Sequence, residues 1–138
     1  MKYWTMVCSG LLLAAFAWHT PALAHEGAHD GVSFAKPHDG AVVGSTFDVE
    51  MKVSGMDVHK AGDVIEGSGH HHLIIDGDCI KQGEAVPKDA SHKHFGKGQT
   101  ETELQLEPGK HTLSLQFANG HHQSYGRHWC KTIHVTVK

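Results

Sequence analysis

The chain has 138 residues, of which 39% are hydrophobic and 20% are charged, and this is typical of one globular domain. Twelve basic and 15 acidic residues give a formal net charge of -3 at pH 7, so no basic field exists to hold nucleic acid. This composition also excludes a coiled coil and a membrane bundle. The unusual feature is the 15 histidines, and because imidazole is a common metal ligand, they point to metal binding.

Residues 1–24 have the three parts of a secretory signal peptide. Lys2 supplies the positive start, residues 6–18 form the apolar run, and Ala22-Leu23-Ala24 matches the small-x-small pattern before a cleavage site. The apolar run is shorter than the ~20 residues of a membrane-spanning helix. We therefore predict cleavage after Ala24, a periplasmic location, and no membrane span in the mature protein.

The rest of the chain has the pattern of an all-β domain. Residues 25–31 are polar and contain glycine, which predicts a flexible N-terminal arm. Beyond them, apolar and polar residues alternate in runs separated by turn sequences, and no run of ten residues shows a convincing helical period. The predicted strands include residues 47–53, 101–106, 113–117 and 133–137. We predict an antiparallel, immunoglobulin-like β-sandwich over residues 32–138.

Two long connections, at 54–69 and 82–98, border histidines. Long loops on a compact sandwich usually carry function, so these connections are expected to contribute to a site.

Two cysteines, Cys79 and Cys130, remain after removal of the signal peptide. Because disulfides persist outside the cytoplasm, one Cys79–Cys130 disulfide is the simplest interpretation. The alternative is that these thiolates bind metal beside the histidines, as the sequence His128-Trp129-Cys130 allows.

Most of the 14 histidines that remain after cleavage are clustered. The triplet His70-His71-His72 opens a strand, on which the first and third side chains share one face. Two further clusters lie on separate segments, and the residues predicted to bind metal in the three clusters are His70, His71, His72, His92, His94, His121 and His122. Hydrogen-bonded structural histidines are the alternative, and which face of the triplet is buried stays open. Surface or core positions are expected for the isolated His38, His59, His111 and His134.

His25 becomes the mature N-terminus if cleavage follows Ala24. Its free amine and imidazole would then form a chelate that suits copper(II), to which His29 could add.

Residues 34–137 resemble an uncharacterised bacterial periplasmic domain family. The motifs that carry the resemblance are KPHDGAVV at 36–43, GHHHLIID at 69–76, HFGKGQTETEL at 94–104 and PGKHTLSLQF at 108–117. The resemblance implies a secreted, immunoglobulin-like domain in which the histidine motifs are ligands. His25 and the turn at 37–41 are also similar to the start of the periplasmic copper carriers of copper resistance, which implies a copper site.

Together these features predict a periplasmic metal-binding protein that acts as a copper carrier, buffer or chaperone, with zinc as the alternative metal. Another periplasmic metal-handling protein is the expected partner. Two alternatives stay open, namely a copper- or zinc-dependent enzyme and a structural or interaction module of the cell envelope. The sequence contains no Gly-x-Ser-x-Gly motif and no phosphate-binding loop.

Overall fold

A computed structural model describes residues 29–138. The predicted signal peptide, His25 and most of the predicted arm lie outside these residues. The described chain forms nine strands and one three-residue 3-10 helix, Arg127–Trp129. The strands are β1 (Gly31–Lys36), β2 (Ala41–Val43), β3 (Thr46–Ser54), β4 (Asp57–Val58), β5 (Ser68–Ile75), β6 (His92–His94), β7 (Glu101–Gln105), β8 (Gly109–Ala118) and β9 (Cys130–Val137). Over this range, no helix has the length and apolar character that crossing a membrane requires.

The strands form two sheets. The smaller sheet has the order β1-β3-β7, and the larger has the order β2-β9-β8-β5-β4, with β6 also pairing with β5. Most neighbours are antiparallel, whereas the short β2–β9 and β4–β5 pairs are parallel. The prediction of an all-β sandwich built on antiparallel sheets is confirmed.

The sequence located the strands in which apolar and polar residues alternate over a long run. The predicted strands at 47–53, 101–106, 113–117 and 133–137 correspond to β3, β7, β8 and β9. The two- and three-residue strands β2, β4 and β6 are too short to show alternation, and β6 lies within the predicted connection at 82–98.

The hydrophobic core lies between the two sheets. The large side chains with the least exposure, Leu73, Leu113, Leu115 and Phe117, come from β5 and β8. The smaller sheet and β9 complete the core with Val49, Met51, Leu104, Ile133 and Val135. Burying each of these side chains contributes roughly 1.5–3 kcal/mol, so this layer supplies most of the driving force for folding.

A second buried layer covers the outer face of β5 and β8. Residues Ser68–Ile74 are buried on both sides of the sheet, because the connections before β6 and after β8 fold over the outer face. Gln116 ties both connections to β8. Its side-chain oxygen accepts a hydrogen bond from the backbone N–H of Ile80 at 3.0 Å, and its amide donates to the carbonyls of Gly126 and Trp129.

A disulfide joins Cys79 to Cys130, with 5.9 Å between the two Cα atoms. It links the connection that follows β5 to the first residue of β9. Because both sulfur atoms are used in this bond, the alternative in which the two thiolates bind metal is wrong.

Candidate metal centre

Four histidine rings from three segments of the chain lie next to one another. His70 and His72 come from β5, His94 comes from β6, and His122 comes from the connection after β8. The Nε2 atoms of His70 and His72 are 3.0 Å apart, and those of His94 and His122 are 3.1 Å apart. Ligand atoms of His70, His94 and His122 all lie within 4.8 Å of one another.

The four rings are nearly equidistant. All six distances between ring centroids lie between 4.7 and 5.8 Å. Four points with six similar separations form a tetrahedron. A tetrahedral zinc site with metal–nitrogen bonds of about 2.1 Å places its nitrogen ligands about 3.4 Å apart, so the two measured Nε2 separations need to open by only a few tenths of an ångström.

Strand pairing brings three of the four rings together. His70 and His72 are two residues apart on β5, so their side chains share the outer face. His94 lies directly opposite His72 in the antiparallel β5–β6 pair. The backbone N–H of Phe95 donates to the carbonyl of His71, which continues this pairing beyond β6.

Because Gly96 has no side chain, the ring of His94 can occupy the space beside it. A Cβ atom at this position would overlap Cε1 and Nε2 of His94. A larger residue at position 96 would therefore force the ring of His94 out of this place, because the ring folds back against the following backbone.

A tight turn directs the fourth ring into the site. His122 adopts a left-handed backbone conformation, with φ of 66°, which is uncommon for a residue other than glycine. Asn119 stabilises this turn, since its side-chain oxygen accepts hydrogen bonds from the backbone N–H groups of His121 and Gln123. The carbonyl of His122 accepts from the N–H of Val86 at 2.9 Å, which fixes the turn against the other connection.

The environment keeps the rings on β5 neutral. Burial, together with the charges of His94, His122 and His71, lowers the pKa of His70 to about 4. Burial and the surrounding histidines lower the pKa of His72 to about 3. The pKa of His94 is also lowered, by burial, by His122 and by Lys88. Because a metal ion needs deprotonated ligands, imidazoles that stay neutral well below pH 7 are suited to binding one.

Buried ring nitrogens at the site lack hydrogen-bond partners. His70 is 0% exposed and His72 is 2% exposed, and within the described chain the Nδ1 atom of each has no partner. Buried polar atoms are normally hydrogen-bonded, so this cluster is costly for stability alone. An ion held by the converging Nε2 atoms would not pair these Nδ1 atoms, so their burial is a cost that the site carries.

A groove of about 400 Å³ connects the cluster to solvent. Three of the four rings line it, those of His72, His94 and His122, and its other lining residues are Ala85, Val86, Pro87, Lys88, His92 and His121. None of these residues is acidic, so the ligands that the described chain offers here are nitrogen atoms.

The other predicted ligands lie apart from the four rings. His71 points into the core between the sheets, where its ring contacts Phe117 at a centroid distance of 5.0 Å. This placement follows from strand alternation, since neighbours on β5 face opposite sides. His92 hydrogen-bonds to Asp89, and His121 is exposed at the groove. His25 is outside the described residues.

Two of the isolated histidines contact carboxylates on another surface. The Nδ1 atom of His111 lies 2.8 Å from Asp76, and that of His134 lies 3.3 Å from Asp39. Burial alone would lower the pKa of His111. The hydrogen bond to Asp76 has a larger effect and raises this pKa.

Sequence reasoning did not single out Gly96 or Asn119. The sequence did contain a signal for each residue. Gly96 lies two residues after a histidine, and Asn119 begins an Asn-Gly turn before a histidine pair. Neither signal reports on the direction of a ring, because that direction depends on the folded backbone.

A comparison with family models matches residues 49–138 to the family described as "Domain of unknown function (DUF4399)". The matched region contains all four converging histidines. No curated protein and no solved structure matches the chain. The expected resemblance to an uncharacterised domain family is confirmed, while the similarity to copper carriers stays a prediction. Since the match covers well over half of the chain, this protein belongs to the DUF4399 family.

Proposed function

We propose that this protein binds one transition-metal ion through His70, His72, His94 and His122 and serves as a carrier or buffer for that ion. The observation that carries the proposal is the near-tetrahedral arrangement of the four rings, whose centroids are 4.7 to 5.8 Å apart. Side chains that were merely exposed would have no reason to converge from three segments of the chain.

The ligand type narrows the choice of metal to copper or zinc. Calcium and magnesium take oxygen ligands, whereas imidazole suits both zinc and copper. Copper(II) prefers a tetragonal arrangement, while zinc(II) has no geometric preference of its own and is usually tetrahedral in proteins. The arrangement therefore favours zinc(II), or copper in its reduced state, over copper(II) at these four residues.

A carrier or buffer fits the site better than an enzyme. Catalytic zinc sites usually have three protein ligands and keep one position open, whereas four imidazoles complete a tetrahedral shell. The groove still reaches three of the four rings, so the ion can be exchanged. The sandwich has its own core and a disulfide, so the fold does not depend on the metal as a small zinc finger does.

We further propose that the protein works in the periplasm with another metal-handling protein as its partner. The signal-like segment at 1–24 supports export, and the disulfide is of the kind that persists outside the cytoplasm.

Calorimetric titration with zinc(II), and with copper(I) under anaerobic conditions, tests the binding. We expect one equivalent to bind at this site and the His70→Ala and His72→Ala variants to lose at least tenfold in affinity. His38→Ala is the control, because His38 lies on an exposed turn. Unchanged affinity in both β5 variants would contradict the proposal.

The predicted copper(II) chelate at His25 is tested separately. His25→Ala should remove one copper(II) equivalent and leave the zinc equivalent in place. If His25→Ala removed the zinc equivalent as well, the four-histidine site would not be sufficient for binding.

A further inference from the structure

Two further histidines line the groove without joining the four rings. His92 is the first residue of β6, two positions before His94, and its side chain is 14% exposed. His121 is exposed on the turn that carries His122. Both line the same groove as the candidate ligands His72, His94 and His122.

A carboxylate orients the ring of His92. Its Nδ1 atom is 2.7 Å from Oδ1 of Asp89. The same oxygen accepts hydrogen bonds from the backbone N–H groups of Ser91 and His92, at 2.9 and 3.1 Å, and from the Ser91 hydroxyl. The carboxylate is therefore held in place, and it favours the tautomer of His92 that has its proton on Nδ1. The lone pair of Nε2 is then free, as in histidines that bind metals with a carboxylate behind them.

Strand geometry places His92 one step from the candidate metal centre. His92 and His94 are two residues apart on β6, so they share a face and their Cα atoms are about 7 Å apart. His94 lies opposite His72, and His92 lies opposite Ile74, which makes His92 a diagonal neighbour of His72. Diagonal cross-strand neighbours are within reach of long or aromatic side chains.

We infer that His92 is the entry ligand of the metal centre, which receives an incoming ion at the groove before it passes to the four-histidine site. His121, at the exposed rim, extends this path toward solvent. The inference rests on the proposed function. The ion moves from one imidazole to the next, so it is never without a protein ligand.

An entry ligand changes rates without changing equilibrium affinity, and this distinguishes it from a permanent ligand. Stopped-flow measurements with zinc(II) and a chromophoric chelator give the rates of binding and release for the full chain. We expect His92→Ala to slow both rates about tenfold while the dissociation constant stays within twofold. Asp89→Asn should slow both rates to a smaller extent, since it removes the group that orients the ring.

The matched controls are His134→Ala and Asp39→Asn. This second histidine–carboxylate pair is exposed, with Nδ1 of His134 3.3 Å from Oδ1 of Asp39, and neither residue lines the groove. We expect both variants to bind and release zinc at the rates of the unaltered protein. Equal slowing in these controls would overturn the inference, because the effect would not depend on the groove.

Two other outcomes also overturn the inference. Unchanged rates in His92→Ala would show that ions enter by another path. Faster release with unchanged binding, and hence weaker affinity, would make His92 a permanent ligand. Failure of the proposed function gives a different result, since His70→Ala and His72→Ala would then bind zinc as tightly as the unaltered protein.

Discussion

The three consecutive histidines of β5 occupy two different environments. His70 and His72 face the metal centre, where an ion can use their nitrogens. His71 faces the core, is 0% exposed, and neither of its ring nitrogens has a hydrogen-bond partner among the described residues. Burying an unpaired polar group lowers stability, so His71 is a place where the sequence is not optimised for folding.

Replacing His71 with leucine should therefore stabilise the protein. The change removes two unpaired buried nitrogens, and we expect the free energy of unfolding at pH 7 to rise by about 1 kcal/mol. Urea denaturation measures this, and zinc titration of the same variant should still give one equivalent. A loss of stability would indicate that the nitrogens of His71 have a partner that compensates for their burial.

Gly96→Ala should weaken metal binding without unfolding the protein. The added methyl group would occupy the space of the His94 ring, so we expect the affinity for zinc to fall at least tenfold. Gly44→Ala is the matched control, because its nearest neighbour would be a carbonyl oxygen 3.7 Å away. Zinc calorimetry and thermal melting of both variants would check the prediction, and equal affinities would contradict it.

At the scale of elements, β5 makes the metal-free protein sensitive to acid. Burial lowers the pKa of His70 and His71 to about 4 and that of His72 to about 3, compared with about 6.5 in an unfolded chain. At a pH between the folded and the unfolded pKa of these histidines, the unfolded chain binds protons that the folded protein does not. Stability therefore rises with pH across this range.

We expect the free energy of unfolding of metal-free protein to be highest above pH 6.5 and to fall steadily as the pH is lowered to 4. His111 acts in the opposite direction, because Asp76 raises its pKa, but it is one residue against three. Urea denaturation at pH 7.5, 5.5 and 4.5 measures the slope. His71→Leu should have a shallower slope, and an identical slope would contradict the assignment.

The spacing of the histidines along β5 and β6 predicts part of this site. The spacing of two residues between His70 and His72, and between His92 and His94, places each pair on one face of a strand. Pairing of β5 with β6 then selects His94 rather than His92 as the ring opposite His72. No sequence pattern contains this register, because it depends on how the connection between the strands folds.

His122 could not be distinguished from His121 for a similar reason. Their positions beside the Asn119-Gly120 turn are equivalent in sequence, and only the left-handed conformation of His122 aims its ring at the other three. Sequence periodicity reports which face of a regular strand is buried. It does not report the direction of a side chain in a turn.

At the scale of the whole molecule, alternation was sufficient to predict the architecture. The long strands β3, β8 and β9 repeat an apolar residue at every second position, and a sandwich buries such one-sided strands between its two sheets. The layer that covers the outer face of β5 was not predicted. It consists of irregular connections. Side-chain hydrogen bonds hold them, such as the one that the Tyr125 hydroxyl donates to the Ser68 carbonyl.

The disulfide should stabilise this outer layer and leave the metal centre intact. The Cys79→Ser and Cys130→Ser double variant is expected to lose about 2–4 kcal/mol of unfolding free energy, since its unfolded chain is no longer cross-linked. Urea denaturation at pH 7 measures the loss, and zinc calorimetry should still give one equivalent. A double variant as stable as the unaltered protein would contradict the prediction.

The packing around Phe117 gives the molecule an intrinsic optical probe. Its ring contacts His71 on one side and lies 6.2 Å from the indole of Trp129. Since Trp4 and Trp18 lie in the predicted signal peptide, fluorescence of the mature chain would come from Trp129 alone. A paramagnetic ion on the far side of β5 should quench this emission, whereas a diamagnetic ion should not, so the emission would report which oxidation state of copper the protein holds.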